Sequence, residues 1–155
     1  PKSIQRVCIV TGGSRGIGKA ICELLATQST DVCVNYTSDS SKTLAEKVVA
    51  TVVAAGSRAI AVRADVSKAS DVTRLFAETE AKLGPVTGLV NNAAIIGPKT
   101  SLLETSMEDL ERTIQINVYG PFLCTQEHPK ALWYLPFSNS ERITMIPKDG
   151  GGVGS

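Results

Sequence analysis

The chain has 155 residues, 43% hydrophobic and 20% charged, with a formal net charge of +1 at neutral pH. That length buries one core, and the near-neutral balance supplies no basic stripe for nucleic acid or an anionic membrane. No apolar run approaches the roughly 20 residues that span a bilayer, and the run at residues 7–10 is too short for a signal-peptide core, so the chain is expected in the cytosol.

Val7-Cys8-Ile9-Val10 is a continuous apolar run of the kind that forms a strand buried on both faces. Ile17, Ala20, Ile21, Leu24 and Leu25 then recur at helical spacing and predict one buried helix face. Val32-Cys33-Val34 predicts a second strand. Leu44, Val48 and Val52 stripe the next helix, which Gly56 is placed to end. Ala59-Ile60-Ala61-Val62 predicts a third strand. Ser67 is expected to cap the following helix, with Val72, Leu75, Phe76 and Leu83 on its inner face and Gly84-Pro85 as its stop. Leu89-Val90 is a fourth strand. Thr105-Ser106-Met107-Glu108 has the form of a capping box, and the helix it opens is expected to turn Met107, Leu110 and Ile114 inward. Strands that alternate with helices in this way build an α/β fold, a parallel sheet with helices on both faces.

The pattern changes at His128. Pro129, Pro136 and Pro147 interrupt any long helix, and Trp133, Tyr134 and Phe137 crowd three aromatics into five positions. We therefore divide the chain into a dinucleotide-binding domain at residues 1–127 and a divergent tail at 128–155. Within that tail, residues 142–146 suit one short strand and the terminal glycines suit a flexible end. Cys8, Cys22, Cys33 and Cys124 form no Cys-x-x-Cys pair, and His128 is the only histidine, so the usual zinc spacing is missing. They read as reduced core thiols.

The chemistry is concentrated in Thr11-Gly12-Gly13-Ser14-Arg15-Gly16-Ile17-Gly18, between the first strand and the first helix. A glycine there permits a tight strand-to-helix turn, and another lets the backbone approach a pyrophosphate. The helix N-terminus offers unpaired N–H groups and partial positive charge to the phosphates, while Gly18 is expected to bring the helix close to the sheet. Glycines at such spacing are a weak signal alone; between a buried strand and an amphipathic helix they meet the context that dinucleotide binding requires.

The spacing Thr-Gly-x-x-x-Gly-x-Gly resembles the cofactor motif of the short-chain dehydrogenase/reductase family, and three further markers follow in order. Asp65, in Ala64-Asp65-Val66, is similar to the acid that hydrogen-bonds the adenine. Asn91-Asn92-Ala93-Ala94 resembles the family's Asn-Asn-Ala-Gly after strand four. Asn117, in Ile116-Asn117-Val118, is similar to the asparagine that kinks a central helix and holds a catalytic water. The resemblance covers about residues 4–127 and implies a three-layer, doubly wound Rossmann-type sheet, truncated after its fourth strand and fifth helix. It assigns Thr11, Gly12, Ser14, Arg15, Gly16, Ile17, Gly18, Asp65, Val66, Asn91 and Ala93 to the cofactor and Asn117 to the catalytic set. Taken singly, Asp65 also suits a turn or helix start, and Asn91 and Asn92 suit ordinary turn positions.

The end of strand two bears on the choice of cofactor. An acid at that place binds a ribose 2′-hydroxyl and repels a 2′-phosphate. Here the strand ends Asn35-Tyr36 and continues Thr37-Ser38, with Tyr36 in the acid's place. Arg15 offers a planar fork of donors to a phosphate, and Asn35, Thr37 and Ser38 offer further hydrogen bonds. These features favour NADP(H) over NAD(H).

The family's catalytic pair is Tyr-x-x-x-Lys with an upstream serine, working by general acid–base chemistry. Four residues beyond Tyr36, Tyr119 and Tyr134 stand Ser40, Leu123 and Ser138, so the pair is absent, and neither Lys130 nor Lys148 has a tyrosine partner. The expectation is the cofactor half of an oxidoreductase acting on carbonyls or secondary alcohols, inactive by itself. A non-catalytic dinucleotide-binding or interaction protein remains the alternative. The glycine spacing and the Asn-Asn-Ala-Ala run disfavour methyl transfer from S-adenosylmethionine on a related sheet. Strand four is expected near an open edge, which invites association or a cover from the aromatic tail. The segment at residues 117–125 forms subunit contacts in the family, which makes a homo-oligomer one expectation.

Overall fold

Four parallel strands order as β3-β2-β1-β4, where β1 is Arg6–Val10, β2 Thr30–Tyr36, β3 Ala59–Arg63 and β4 Gly88–Val90. The computed structural model describes residues 5–97 and 101–127. In register, Val10 lies between Val34 on one side and Val90 on the other. The helices are α1 (Gly16–Thr27), α2 (Asp39–Ala54), α3 (Ala69–Leu83), α4 (Met107–Ile114) and α5 (Gly120–Glu127). A π-helical turn, Gln115–Tyr119, joins the last two.

Strand alternation divides the core in two. Cys8, Val10, Val32 and Val34 face α1 and α2, where they meet Cys22, Ala26, Ala45, Val48 and Val52. Val7, Ile9, Cys33 and Val62 face the other way, onto Val72, Leu75, Phe76 and Leu83 of α3 and Cys124 of α5. Both faces of the sheet are therefore covered, which is why its strands read as nearly unbroken apolar runs. All four cysteines are free and buried. Burial pushes each of their thiols up to about 12, so they act as small hydrophobes and not as nucleophiles.

Several expected details are corrected. The buried line of α1 is Gly18, Cys22 and Ala26, whereas Ile17 and Leu24 are exposed. Small residues hold that line because the helix runs close to the sheet, and the bulkier side chains are displaced to its flanks. Leu44 is likewise exposed, with Ala45 buried in its place. Ser67 does not cap α3: the N-cap position is Lys68, and the Ser67 hydroxyl donates instead to Asp65 Oδ1 at 2.6 Å. The Thr105 box is also displaced. Glu104 reaches back to Ser101, accepting from its N at 3.3 Å and its Oγ at 3.1 Å, while α4 begins at an N-cap of Ser106, whose Oγ accepts from Asp109 N at 3.1 Å. Met107, Leu110 and Ile114 are not turned inward; they are 67%, 43% and 37% exposed. The helical run buries Ile116, Gly120 and Cys124, because β4 is the edge strand among the described residues and no further strand lies beneath the predicted face. The aromatic cluster of the tail, the strand expected at 142–146, and the cover they were expected to provide lie outside the described residues.

Candidate functional site

Strand order reverses between β1 and β4, and that crevice at the strands' carboxyl ends is where open α/β sheets bind ligands. Thr11 closes it from below. Its Oγ1 accepts from Asn92 N at 2.9 Å and Ala93 N at 3.0 Å and donates to Val90 O at 3.2 Å. Asn92 answers from β4's side, donating from Nδ2 to Thr11 O at 2.9 Å and Gly12 O at 3.2 Å. The glycine loop and the segment after β4 are thus held as one unit.

Two glycines explain the motif's spacing. Gly12 has φ +64°, a left-handed conformation that costs a side-chain-bearing residue energy. A Cβ on Gly18 would lie 2.4 Å from Gly12 O and 2.6 Å from Asn92 Nδ2. The last glycine therefore admits the loop's own backbone and Asn92, and the expected close approach is to these groups more than to the sheet.

Asn35 supports the loop from beneath. It is 0% exposed. Its Oδ1 accepts from Gly12 N at 3.2 Å, its main-chain O accepts from Gly13 N at 2.9 Å, and its Nδ2 donates to Ala64 O at 3.0 Å. The side chain expected as a further donor to the 2′-phosphate is engaged within the fold, where it ties the ends of three strands together.

α1 begins with no side-chain cap and no acidic residue in its first turn, so its first N–H groups suit a ligand anion. In front of it lies a cavity of about 250 Å³. Gly12, Ser14, Arg15, Asn35, Thr37, Asp65, Val66 and Ala93, all expected from the sequence, line it. Ser41, Asn92, Ala94, Ile95 and Ile116 line it as well and were not expected. Ser41 carried a weak signal, as one of several hydroxyl residues after strand two, and Asn92 stood inside a recognised motif. Ile95 and Ile116 carried none. Thr11 and Tyr36 are buried, and Gly18 sits behind the loop. Gly16 and Ile17 are exposed at the start of α1. Asn91 turns to α5, donating from Nδ2 to Thr125 Oγ1 at 3.3 Å.

At the end of β2, Ser38 Oγ lies 2.8 Å from both Ser40 Oγ and Ser41 Oγ. The nearby acid Asp39 is paired with Arg63 at 2.7 Å. At the end of β3, Asp65 Oδ1 accepts from Ser67 N at 3.0 Å as well as from its hydroxyl, so the turn reading of Asp65 holds alongside its place in the cavity. Burial pushes the Asp65 carboxyl up, but hydrogen bonds from Ser67 and Arg112 outweigh it and hold the group below its ordinary value. Asn117 occupies the π-helical turn. Its Oδ1 accepts from Ile95 N and its Nδ2 donates to Ile95 O, both at 2.9 Å.

The family model described as short chain dehydrogenase matches residues 6–136. The chain is 41% identical over 150 residues to a 3-oxoacyl-[acyl-carrier-protein] reductase of Synechocystis sp., covering 97% of this chain and 58% of that protein. It is also 41% identical, over 133 residues, to an NADPH-dependent aldehyde reductase-like protein of Arabidopsis thaliana, covering 79% and 48%. Among solved structures it resembles a blue fluorescent protein from a metagenomic library in complex with NADPH, at 42% identity and TM-score 0.74 over 79% of this chain and 49% of that one. It also resembles a dehydrogenase/reductase from Sinorhizobium meliloti, at 34% identity and TM-score 0.77 over 84% and 51%. The chain spans about half the length of the relatives it matches.

Proposed function

The chain belongs to the short-chain dehydrogenase family, and from that premise we propose that it is the cofactor-binding part of an NADP(H)-dependent oxidoreductase of carbonyls and secondary alcohols. The observation that carries the reading is one cavity lined by the glycine loop, by Arg15 and by Thr37, with tyrosine where a 2′-phosphate-repelling acid would stand. The NADPH named for similar proteins supports the same choice.

The roles follow from placement. The start of α1, with Gly12, Ser14, Gly16 and Ile17, receives the pyrophosphate. Arg15, Thr37, Ser38 and Ser41 take the 2′-phosphate through charge and hydroxyl hydrogen bonds. Asp65 and Val66 receive the adenine. Asn91 and Ala93 mark the nicotinamide side, with Asn35 in the lining and Thr11, Gly18 and Tyr36 supporting it from behind. When bound, the nicotinamide supplies or accepts a hydride. We place Asn117 on the catalytic side: with both arms of its carboxamide spent on Ile95, it contributes a fixed main chain within the π-helical turn, where backbone pairing departs from the α pattern.

Titration calorimetry with NADPH and NADH tests the reading. NADPH is expected to bind more tightly, and Tyr36→Asp is expected to reverse the preference. Equal affinity for the two, or binding of neither, would overturn it. A second reading concerns these 155 residues alone, as a dinucleotide-binding segment without turnover of its own: none of Tyr36, Tyr119 and Tyr134 has a lysine four residues on. NADPH binding without reduction of a carbonyl panel by these 155 residues supports it, and measurable hydride transfer removes it.

A further inference from the structure

We propose that Arg112 is a positioning residue for the adenine end of the dinucleotide, reaching from α4 to hold the Asp65 carboxylate and the Ser67 hydroxyl of the β3–α3 segment. The inference rests on the dinucleotide reading above and assigns a task to a residue of a different element, 47 positions away from Asp65.

The guanidinium spans both partners. Arg112 Nη2 donates to Asp65 Oδ2 at 3.3 Å, and Nη1 donates to Ser67 Oγ at 3.3 Å. Ser67 in turn donates to Asp65 Oδ1, so its single hydroxyl proton and one of its two lone pairs are used. The resulting triangle leaves the carboxylate one aim. Asp65 forms no other ion pair among the described residues. The main chain beneath it is secured separately, with Asp65 N donating to Asp71 Oδ2 at 2.8 Å. Ser67 N and Oγ hold Oδ1, Arg112 holds Oδ2 and completes the aim of the carboxylate, and the path of the loop is set by α3.

The same helical run presses on the neighbouring residue. A Cβ on Gly120 would lie 2.8 Å from Val66 Cγ2, so α5 seats directly against the second residue placed at the adenine. Asp65 and Val66 are both backed by the α4–α5 run, one by charge and one by contact. The Arg112 side chain is 49% exposed, and an exposed pair of this kind adds little to folding stability. Its value lies in aim. A purine 6-amino group is a hydrogen-bond donor and is met best by a fixed carboxylate, which this guanidinium helps to hold in place.

The test compares NADPH with its hypoxanthine analogue, in which the 6-amino group is replaced by a carbonyl, using wild type, Arg112→Ala and Arg112→Lys. Wild type is expected to prefer NADPH by about tenfold, the worth of one charge-assisted hydrogen bond. Arg112→Ala is expected to bring the ratio toward one with an unchanged thermal midpoint, and Arg112→Lys to keep most of it. A ratio that survives in Arg112→Ala, or an equal loss of both ligands, would overturn the assignment. Wild type that binds both ligands equally would overturn it too, yet leave the dinucleotide reading standing. Wild type that binds neither would remove that reading and this inference together.

Discussion

On the β2–β3 side of β1, Val32, Val34 and Val62 are sealed between α1 and α2 on one face and α3 on the other. On the β4 side, Leu110, Ile114, Val118 and Phe122 lie exposed along α4, the π-helical turn and α5. The first region is held by burial, which scales with area and tolerates small shifts. The second is held to the body by one narrow buried line, Ile116, Gly120 and Cys124, and by directional contacts: Asn117 on Ile95, Arg112 on Asp65, Glu127 accepting from Thr73 at 3.2 Å, and Asn91 on Thr125. Such contacts add little net stability each, but they specify geometry. The cavity lies where the two regions meet, with walls from both. Arg15, Asn35 and Thr37 line it from the sealed side, and Ala94, Ile95 and Ile116 from the clamped side.

The strongest way to break this comparison is alkaline pH. Cys8, Cys22 and Cys33 of the sealed side and Cys124 of α5 are each raised from 9.0 to about 12 in the folded protein. Above pH 9 the unfolded chain gives up thiol protons that the folded chain retains, so stability is full below pH 9 and falls steadily toward pH 12. Urea midpoints measured from pH 8 to 11 should decline throughout the upper part of that range. A flat profile would mean that the thiols are not enclosed.

Next in size is one truncation made on both sides. Leu75→Ala in the sealed core is expected to cost roughly 2–5 kcal/mol, whereas Leu110→Ala on α4 should stay within about 0.5 kcal/mol. Equal costs in urea unfolding would erase the distinction between the regions. The smallest effect sharpens it: Asn117→Ala removes two hydrogen bonds and is expected to cost about 1–3 kcal/mol. Its signature is local. Cys124 should react with a thiol reagent faster than in wild type, while labelling of Cys8 and Cys33 remains unchanged. Uniform acceleration at all of these cysteines would show that α5 does not open separately.

Much of the fold was legible because its signals are short-range. Val7-Cys8-Ile9-Val10 announces a buried strand within four residues, and the glycine loop declares a strand-to-helix turn at a helix start. Gly56 and Gly84 end α2 and α3 as expected. The helix faces were less legible. The stripes of α1 and α4 were read from residue size and period, yet size counts against a residue where a helix runs close to the sheet, as at Gly18, Cys22 and Ala26.

The sequence by itself determined the order of strands and helices, the parallel sheet, the anion-receiving loop and most of the residues that line the cavity, because period and turn chemistry act over a few positions. Only the tertiary structure decided that Asn35 braces the loop from 23 residues away, that Asn92 closes it across 80, and that Arg112 aims Asp65 across 47. Those roles depend on which distant donor meets which acceptor once the strands are in register, and no local pattern encodes that meeting. It also decided that the apolar face of α4 is exposed among the described residues, since a helix buries its stripe only where another element lies against it.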